Sequence, residues 1–290
     1  TPKTRAIIVQ HTFGIPGPVE EILALTQEKN IVVIEDCAHA LGVVSAGKKL
    51  GSLGDVAILS FGRDKVISSV FGGAVVTKDK SRSHAIAAMQ SFRKLPPRTW
   101  VAKQLFHVVF TTAILPLYFW HQAGKALLVA AQKVNFISRA VDMEERSAQR
   151  PAHIEYSYSP ALALLLIRQL EKLEKMNARR KEIVARYEKE IHGAEHFGSL
   201  PLLRFPMIVE HRREVLLDAR SKDMLLGDWY DAPLVPSNAN LVTFKYAIGS
   251  CPNAEEVSRH VLNLPTYYSL TDTQVGKVIA FMNTYGNTGN

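Results

Sequence analysis

The sequence predicts an α/β protein: a three-layer large domain around a mostly parallel sheet, followed by a smaller α+β domain. Three features carry this expectation. Short apolar runs alternate with a helical stretch and Gly/Pro turns through residues 6–77. A long helical stretch at 161–191 then leads into a tail of mixed strand and helix signals. Strands that alternate with crossover segments pair in parallel, are covered on both faces, and bind ligands beyond their carboxyl ends.

The elements follow in order. Ala6–Gln10 (AIIVQ) reads as a buried strand, and HTFGIPGP after it as a turn. Residues 19–29 carry Val19, Ile22, Leu23 and Leu25 at helical spacing. Residues 31–34 (IVVI) form an apolar run that ends in two carboxylates, Glu35 and Asp36. Residues 57–60 and 74–77 are two further short strands. GKKLGSLG at 47–54 lacks the order of a phosphate-binding glycine loop and reads as a turn. From 161 to 191, Leu166, Leu170 and Leu173, and then Val184, Tyr187 and Ile191, recur at three- and four-residue intervals, as in a core-packed helix with a charged outer face. LLRFPMIV resembles a strand, and TDTQVGKVIAFMNTY a helix capped by Thr271 or Asp272. A boundary near 145–155 divides the chain into domains 1–150 and 151–290.

Composition narrows the classes. With 290 residues, 47% hydrophobic and 21% charged, the chain is neither disordered nor collagen-like. Its two cysteines, Cys37 and Cys251, cannot build a disulfide framework or a four-thiolate zinc site, which favours a reducing, cytoplasmic location. The opening residues TPKTRAIIVQ fit no signal peptide and read as a fragment without its natural start. The net charge of +8 is local. Nine basic residues and no acidic one lie between Asp79 and Asp142. No nucleic-acid-binding motif accompanies them, so a nucleic-acid partner is not expected.

Two constellations could carry chemistry. Asp36 ends an apolar strand, where a carboxylate serves as a cap, a turn former or a functional group; with His39 it makes a candidate acid–base pair. The pair lacks further ligands at metal spacing, and no metal is expected. In SFGRDK, the Ser60 hydroxyl could hold an anion while the Lys65 amine acts as a nucleophile. No GxSxG elbow, HExxH or paired CxxC occurs. A lysine enzyme with an aspartate partner is the remaining chemistry.

IVVIEDCAHALG, GKKLGSLGDVAILSFGRDK and FGGAVVT, in that order over residues 31–77, resemble the DegT/DnrJ/StrS family of sugar aminotransferases. RFP at 204–206 and LNLPTYYSLTDTQVGKVI at 262–279 resemble its C-terminal region. The resemblance implies a fold-type I, pyridoxal 5′-phosphate-dependent enzyme. It assigns Lys65 the covalent attachment to the cofactor aldehyde and the proton transfers at the substrate carbon. It sets Asp36 against the pyridine nitrogen. Ser60 falls on the cofactor phosphate, and His39 beside the ring oxygen, where the family often has Gln. Two departures stand out. The family's upstream Ser-Gly-Thr phosphate loop and ring-stacking aromatic are not among these residues. Its Tyr-Asn-Tyr-Arg-like stretch reads here Tyr156-Ser157-Tyr158-Ser159, which leaves Ser157 to reach the phosphate of the neighbouring subunit.

The resemblance further implies transfer of an amino group from glutamate or glutamine to a nucleotide-linked keto-sugar by a homodimer, in cell-surface polysaccharide or amino-sugar biosynthesis. The alternatives are a cofactor-binding regulator without catalysis, or a sugar dehydratase. Dehydratases of this fold resemble the aminotransferases but carry His at the lysine position, and Lys65 argues against that reading.

Residues 93–139 stand apart. From Gln104 to Gly124 no charged residue occurs, and basic residues lie on both sides. Two readings remain open: a buried helical hairpin, or peripheral membrane contact through 100–136, with Trp100, Tyr118, Phe119 and Trp120 at the headgroup level.

Overall fold

The computed structural model describes residues 1–114, 117, 123–133, 136, 137, 147, 149–235, 237 and 239–285. The chain forms two compact units that interleave along the sequence. One comprises 1–59, 75–78 and 172–290; the other comprises 60–74 and 79–171. These units cut the chain differently from the linear division at 150, because the N-terminal turn shares a core with the C-terminal part. Ile15 packs against the cluster that holds Phe205 and Leu262, and the Leu203 N–H donates to the Phe13 carbonyl.

The fold is α/β with a mostly parallel central sheet. Strands β1 (Ala6–Gln10), β2 (Val32–Asp36), β5 (Val56–Ser60) and β6 (Gly73–Val76) lie in the order β1-β2-β5-β6, and β1, β2 and β5 run parallel. Between β2 and β5 sits a small hairpin of β3 (Val44–Ser45) and β4 (Lys48–Lys49). Helix α1 (Val19–Thr26) covers one sheet face, where Val9, Val19 and Val33 pack with Ile7, Ile22 and Leu23. On the opposite face, among the described residues, Ile8 is 64% and Ile58 39% exposed.

The C-terminal part is α+β. Helix α6 (Leu173–Glu190), β7 (Arg204–Ile208), α7 (Arg212–Ser221), α8 (Pro252–His260), β8 (Val261–Pro265) and α9 (Asp272–Asn283) follow in order, with β7 and β8 antiparallel. Their core holds Ile183, Tyr187, Phe205, Leu262, Leu264 and Val275. The buried Tyr187 hydroxyl donates to the Pro265 carbonyl at 2.9 Å, which removes the cost of an unpaired polar group. The expected continuous helix over 161–191 is instead two. Helix α5 (Pro160–Leu170) ends before α6 begins. Glu171 and Lys172 between them keep right-handed backbone, at φ −56°, ψ −25° and φ −103°, ψ −4°.

The second unit also contains α2 (Lys80–Ser91), α3 (Arg98–Ile114) and α4 (Ala123–Lys133), with α3 and α4 in contact. Among the described residues no helix is long and apolar enough to cross a membrane. Tyr118, Phe119 and Trp120 lie outside the described residues. Trp100 does not stand free for a lipid headgroup: its ring meets Phe71 edge-on at 5.1 Å and stacks on His153 at 6.5 Å.

Of the two expected caps for α9, Thr271 serves. Its hydroxyl accepts the Gln274 N–H, and Gln274 reaches back to the Thr271 N–H, a full capping box. Thr271→Ala should lower the unfolding free energy by about 1 kcal/mol in urea titration.

Candidate active site

Two adjacent carboxylates at the end of β2 face opposite ways, as strand alternation requires. Glu35 shares its face with Val9 and Ala57, its register neighbours, and is fully buried. Asp36 shares the other face with Gln10 and Ile58 and is half-buried.

Glu35 is saturated with donors. It accepts the N–H groups of Gly51 at 2.8 Å, Leu53 at 2.7 Å and Gly54 at 2.7 Å, and meets His11 Nε2 at 3.1 Å. Burial pushes its carboxyl up, but the Gly54, Gly51, His11 and Leu53 hydrogen bonds together outweigh it and leave the group below the usual range. The Gly17 N–H points at His11 Nδ1 at 2.9 Å, so the ring carries its proton on Nε2 and donates it to Glu35. Gly17 permits this approach: a Cβ there would lie 2.8 Å from Val9 Cγ1. Cys37 joins His11 and Glu35 within 4.8 Å. This trio is no donor set for a cation at neutral pH. Both ring nitrogens and the carboxylate are engaged, while burial, then Glu35 and Asp36, pushes the Cys37 thiol up to about 12.

Asp36 Oδ1 accepts the Ala38 N–H at 3.0 Å, so the turn-former reading holds for one of its oxygens. His39 is 4% exposed, and its Nδ1 accepts the Phe13 N–H at 3.2 Å. The neutral ring therefore carries its proton on Nε2. The rings of Phe13, His39 and Tyr230 stack mutually, with centroids 5.5–6.3 Å apart. Burial and then the Asp36 charge push the Tyr230 phenol up, against Arg204 and a Gln10 hydrogen bond. Phe13 holds φ +58°, a left-handed conformation that an aromatic residue adopts only when its surroundings impose it.

In the second unit, Ser60 ends β5 and Lys65 sits half-buried in the loop that follows. Two hydrogen bonds close this loop: Phe61 N–H to the Gly72 carbonyl at 2.8 Å, and Ser69 N–H to the Phe61 carbonyl at 3.0 Å. Ser60 Oγ and Lys65 Cγ lie 3.7 and 3.8 Å from where a Cβ on Gly62 would stand, so hydroxyl and lysine stem converge over that glycine. Tyr158 braces the loop from outside. Its hydroxyl meets Ser69 Oγ at 2.5 Å, and its ring fills the space over Gly72, where a Cβ would come within 2.1 Å. Next to it, the Ser157 hydroxyl is buried with no partner among the described residues. Helix α3 reaches the same loop, with Gln104 accepting from Arg63 Nη2 at 3.2 Å. One turn on, burial and then the Arg63 charge lower His107 to about 4, with Asp64 opposing.

The structure thus places Ser60 and Lys65 together in one loop, and Asp36 and His39 together at the end of β2. Sequence reasoning missed Glu35, His11, Phe13 and Tyr230. A carboxylate on the apolar face of β2 was a usable signal for Glu35. Nothing local marked Tyr230, which comes to His39 from 191 positions along the chain.

The fold is an α/β fold of the aminotransferase type. The family model of the DegT/DnrJ/EryC1/StrS aminotransferases matches residues 1–106 and 140–283, and the chain belongs to this family. An uncharacterized protein of Methanocaldococcus jannaschii is 25% identical over 96% of this chain and 66% of its own length. GDP-perosamine synthase of Escherichia coli O157:H7 is 44% identical over 28% of this chain and 22% of its own. The chain therefore spans under two thirds of these curated relatives. Among solved structures, DesV of S. venezuelae matches with TM-score 0.68 and 21% identity over all of this chain and 67% of its own. GDP-4-keto-6-deoxymannose-3-dehydratase (ColD) matches with TM-score 0.68 and 17% identity over 97% of this chain and 68% of its own. At these identities the structures show a shared fold.

Two acid limbs of stability follow. The Glu35 contribution is whole above the ordinary glutamate range and is lost as pH falls through its lower folded value. Glu35→Gln should cost about 3 kcal/mol at neutral pH and flatten that limb in pH-dependent denaturant titration. His107 titrates near 4 when folded against 6.5 otherwise, so stability falls as pH drops from 6.5 towards 4. His107→Leu should remove that slope.

Proposed function

We propose that this chain acts as a pyridoxal 5′-phosphate-dependent aminotransferase. In this reading it moves an amino group from glutamate or glutamine to a nucleotide-linked keto-sugar, in amino-sugar or cell-surface polysaccharide biosynthesis. The carrying observation is the convergence of Ser60 Oγ and the Lys65 stem over Gly62, just past β5, in a chain of this family. The relative named a GDP-perosamine synthase supports a nucleotide-sugar acceptor.

The residues fit the cofactor. Ser60 offers a hydroxyl for a phosphate oxygen, and Ser157, whose hydroxyl has no partner among the described residues, offers one to the phosphate held by a second copy. Asp36 keeps one carboxylate oxygen beyond its turn for the pyridine nitrogen. His39, with its lone pair committed to Phe13, presents an N–H to the ring oxygen. When bound, the cofactor supplies an aldehyde that takes up an amine and a protonated ring that draws electrons from the adjacent carbon. Lys65 Nζ would hold the cofactor and serve as the base that takes a proton from the substrate carbon and the acid that returns one.

Residues 1–150 carry Asp36, His39, Ser60 and Lys65, and 151–290 the smaller domain. Ser157 completes the phosphate site of a second copy, which makes the working unit a homodimer. Lysine at position 65 favours amino transfer over dehydration. Loading the full chain with the cofactor should give a visible absorbance band that glutamate shifts. Lys65→Ala should abolish the band and lower transfer by roughly a thousandfold. A band unchanged in Lys65→Ala overturns the assignment, and a band that no amino donor shifts favours a binding-only role.

A further inference from the structure

His39 stands in a turn of the first unit whose backbone is pinned on both sides. The Ala38 N–H donates to Asp36 Oδ1 at 3.0 Å, and the Ala40 N–H to the Cys37 carbonyl at 3.0 Å. The ring itself is held in two further ways. The Phe13 N–H, which can only donate, occupies Nδ1 at 3.2 Å, so the other tautomer would set N–H against N–H. Two aromatic neighbours fix the ring plane. Phe13 is 6° and Tyr230 16° from parallel to it, at centroid distances of 5.9 and 6.3 Å, and those two rings stack on each other at 5.5 Å. Turning the imidazole over would break the Phe13 bond inside a shell that leaves His39 only 4% exposed.

Each neighbour is itself held. Phe13 takes a left-handed φ of +58°, a strain that persists only where the surroundings over-determine it. Tyr230 ends an anchored segment: Gly227 exchanges both backbone hydrogen bonds with the buried Asn263 at 2.8 Å, and Asn263 Oδ1 accepts the Trp229 N–H at 3.0 Å. The Arg204 guanidinium lies 4.5 Å from the centre of the Trp229 ring. Asp36 and Arg204 are the charges that bear on the Tyr230 phenol, with opposite sign, and Gln10 is its hydrogen-bond partner. We propose that Phe13 and Tyr230 are positioning residues that lock His39 as a donor of fixed polarity, with the proton on Nε2 and no rotation that offers a lone pair in its place. A locked donor complements an acceptor and repels another donor. The site therefore selects the ionised form of the cofactor's ring oxygen over its hydroxyl form. This selection rests on the aminotransferase reading, whereas the lock itself does not.

The first arm of the test uses the full chain without cofactor. Nitrogen–proton NMR correlations with isotope-labelled histidine, assigned by loss of the signal in His39→Gln, should show His39 as the Nε2–H tautomer. Tyr230→Phe keeps the ring and should keep that pattern. Tyr230→Leu and Phe13→Gly each remove one ring, and both should mix the two tautomers; the glycine variant also relieves the strained φ, so it folds where the leucine variant does not. In the second arm the chain is loaded with pyridoxal 5′-phosphate and its visible band is titrated with pH. The midpoint should rise by about half to one unit in Tyr230→Leu, because an ionised oxygen deprived of its donor holds the cofactor's proton more tightly. It should stay at the parent value in Tyr230→Phe, and Tyr230→Leu should have no effect once His39→Gln is present. An Nδ1–H or mixed His39 in the parent chain overturns the lock, as does the parent tautomer in both ring-deleted variants. A changed tautomer with an unshifted midpoint overturns the selection and leaves amino transfer standing. An intact lock in a chain that forms no band overturns the aminotransferase reading and the selection with it.

Discussion

Much of the first unit depends on one buried carboxylate. Glu35 gathers three backbone N–H groups from the 51–54 loop and one imidazole N–H from the turn after β1. Removing an ion from water is costly unless every lone pair finds a donor, and here four donors do so. The same anchor fixes the end of β2, so the next residue, Asp36, stands on the opposite face in a defined position. One carboxylate is consumed by architecture, and its neighbour is left for chemistry.

The loop that carries Lys65 is held by a comparable economy of contacts in the second unit. Backbone pairs to Phe61 close it, Tyr158 lies flat against Gly72, and the two hydroxyls of Tyr158 and Ser69 meet. Gly72 has φ +128° as well as no room for a side chain, so conformation and packing demand the same residue. Helix α3 adds Gln104 on Arg63. Its residues 98–106 lie within the family match and its remainder opens the unmatched stretch 107–139.

Charge is distributed by role. The first unit neutralises its ions locally: Arg179 with Glu182 and Asp272, Arg186 with Glu190, and Lys222 with Asp218. Such exposed pairs add little stability each, but they leave that surface close to neutral. The 80–141 window contains no acid of its own, and Arg82 reaches outside it to pair with Asp79. The two surfaces therefore offer different things to their surroundings.

The sequence by itself determined the strand order of types, the family, and the loop placing Ser60 near Lys65, because each rests on residues a few positions apart. Strand period and turn residues encode such local geometry directly. It also narrowed the cap of α9 to Thr271 or Asp272, and the structure chose Thr271. It did not reveal that Glu35 is an anchor, that Tyr230 stacks on His39, or that Tyr158 shapes the loop at Gly72. Those contacts join positions 16, 191 and 86 residues apart, and only chain packing chooses such partners. The break at 171–172 belongs with them. The apolar spacing of Leu166, Leu170 and Leu173 runs through it, and the interruption shows only in the backbone.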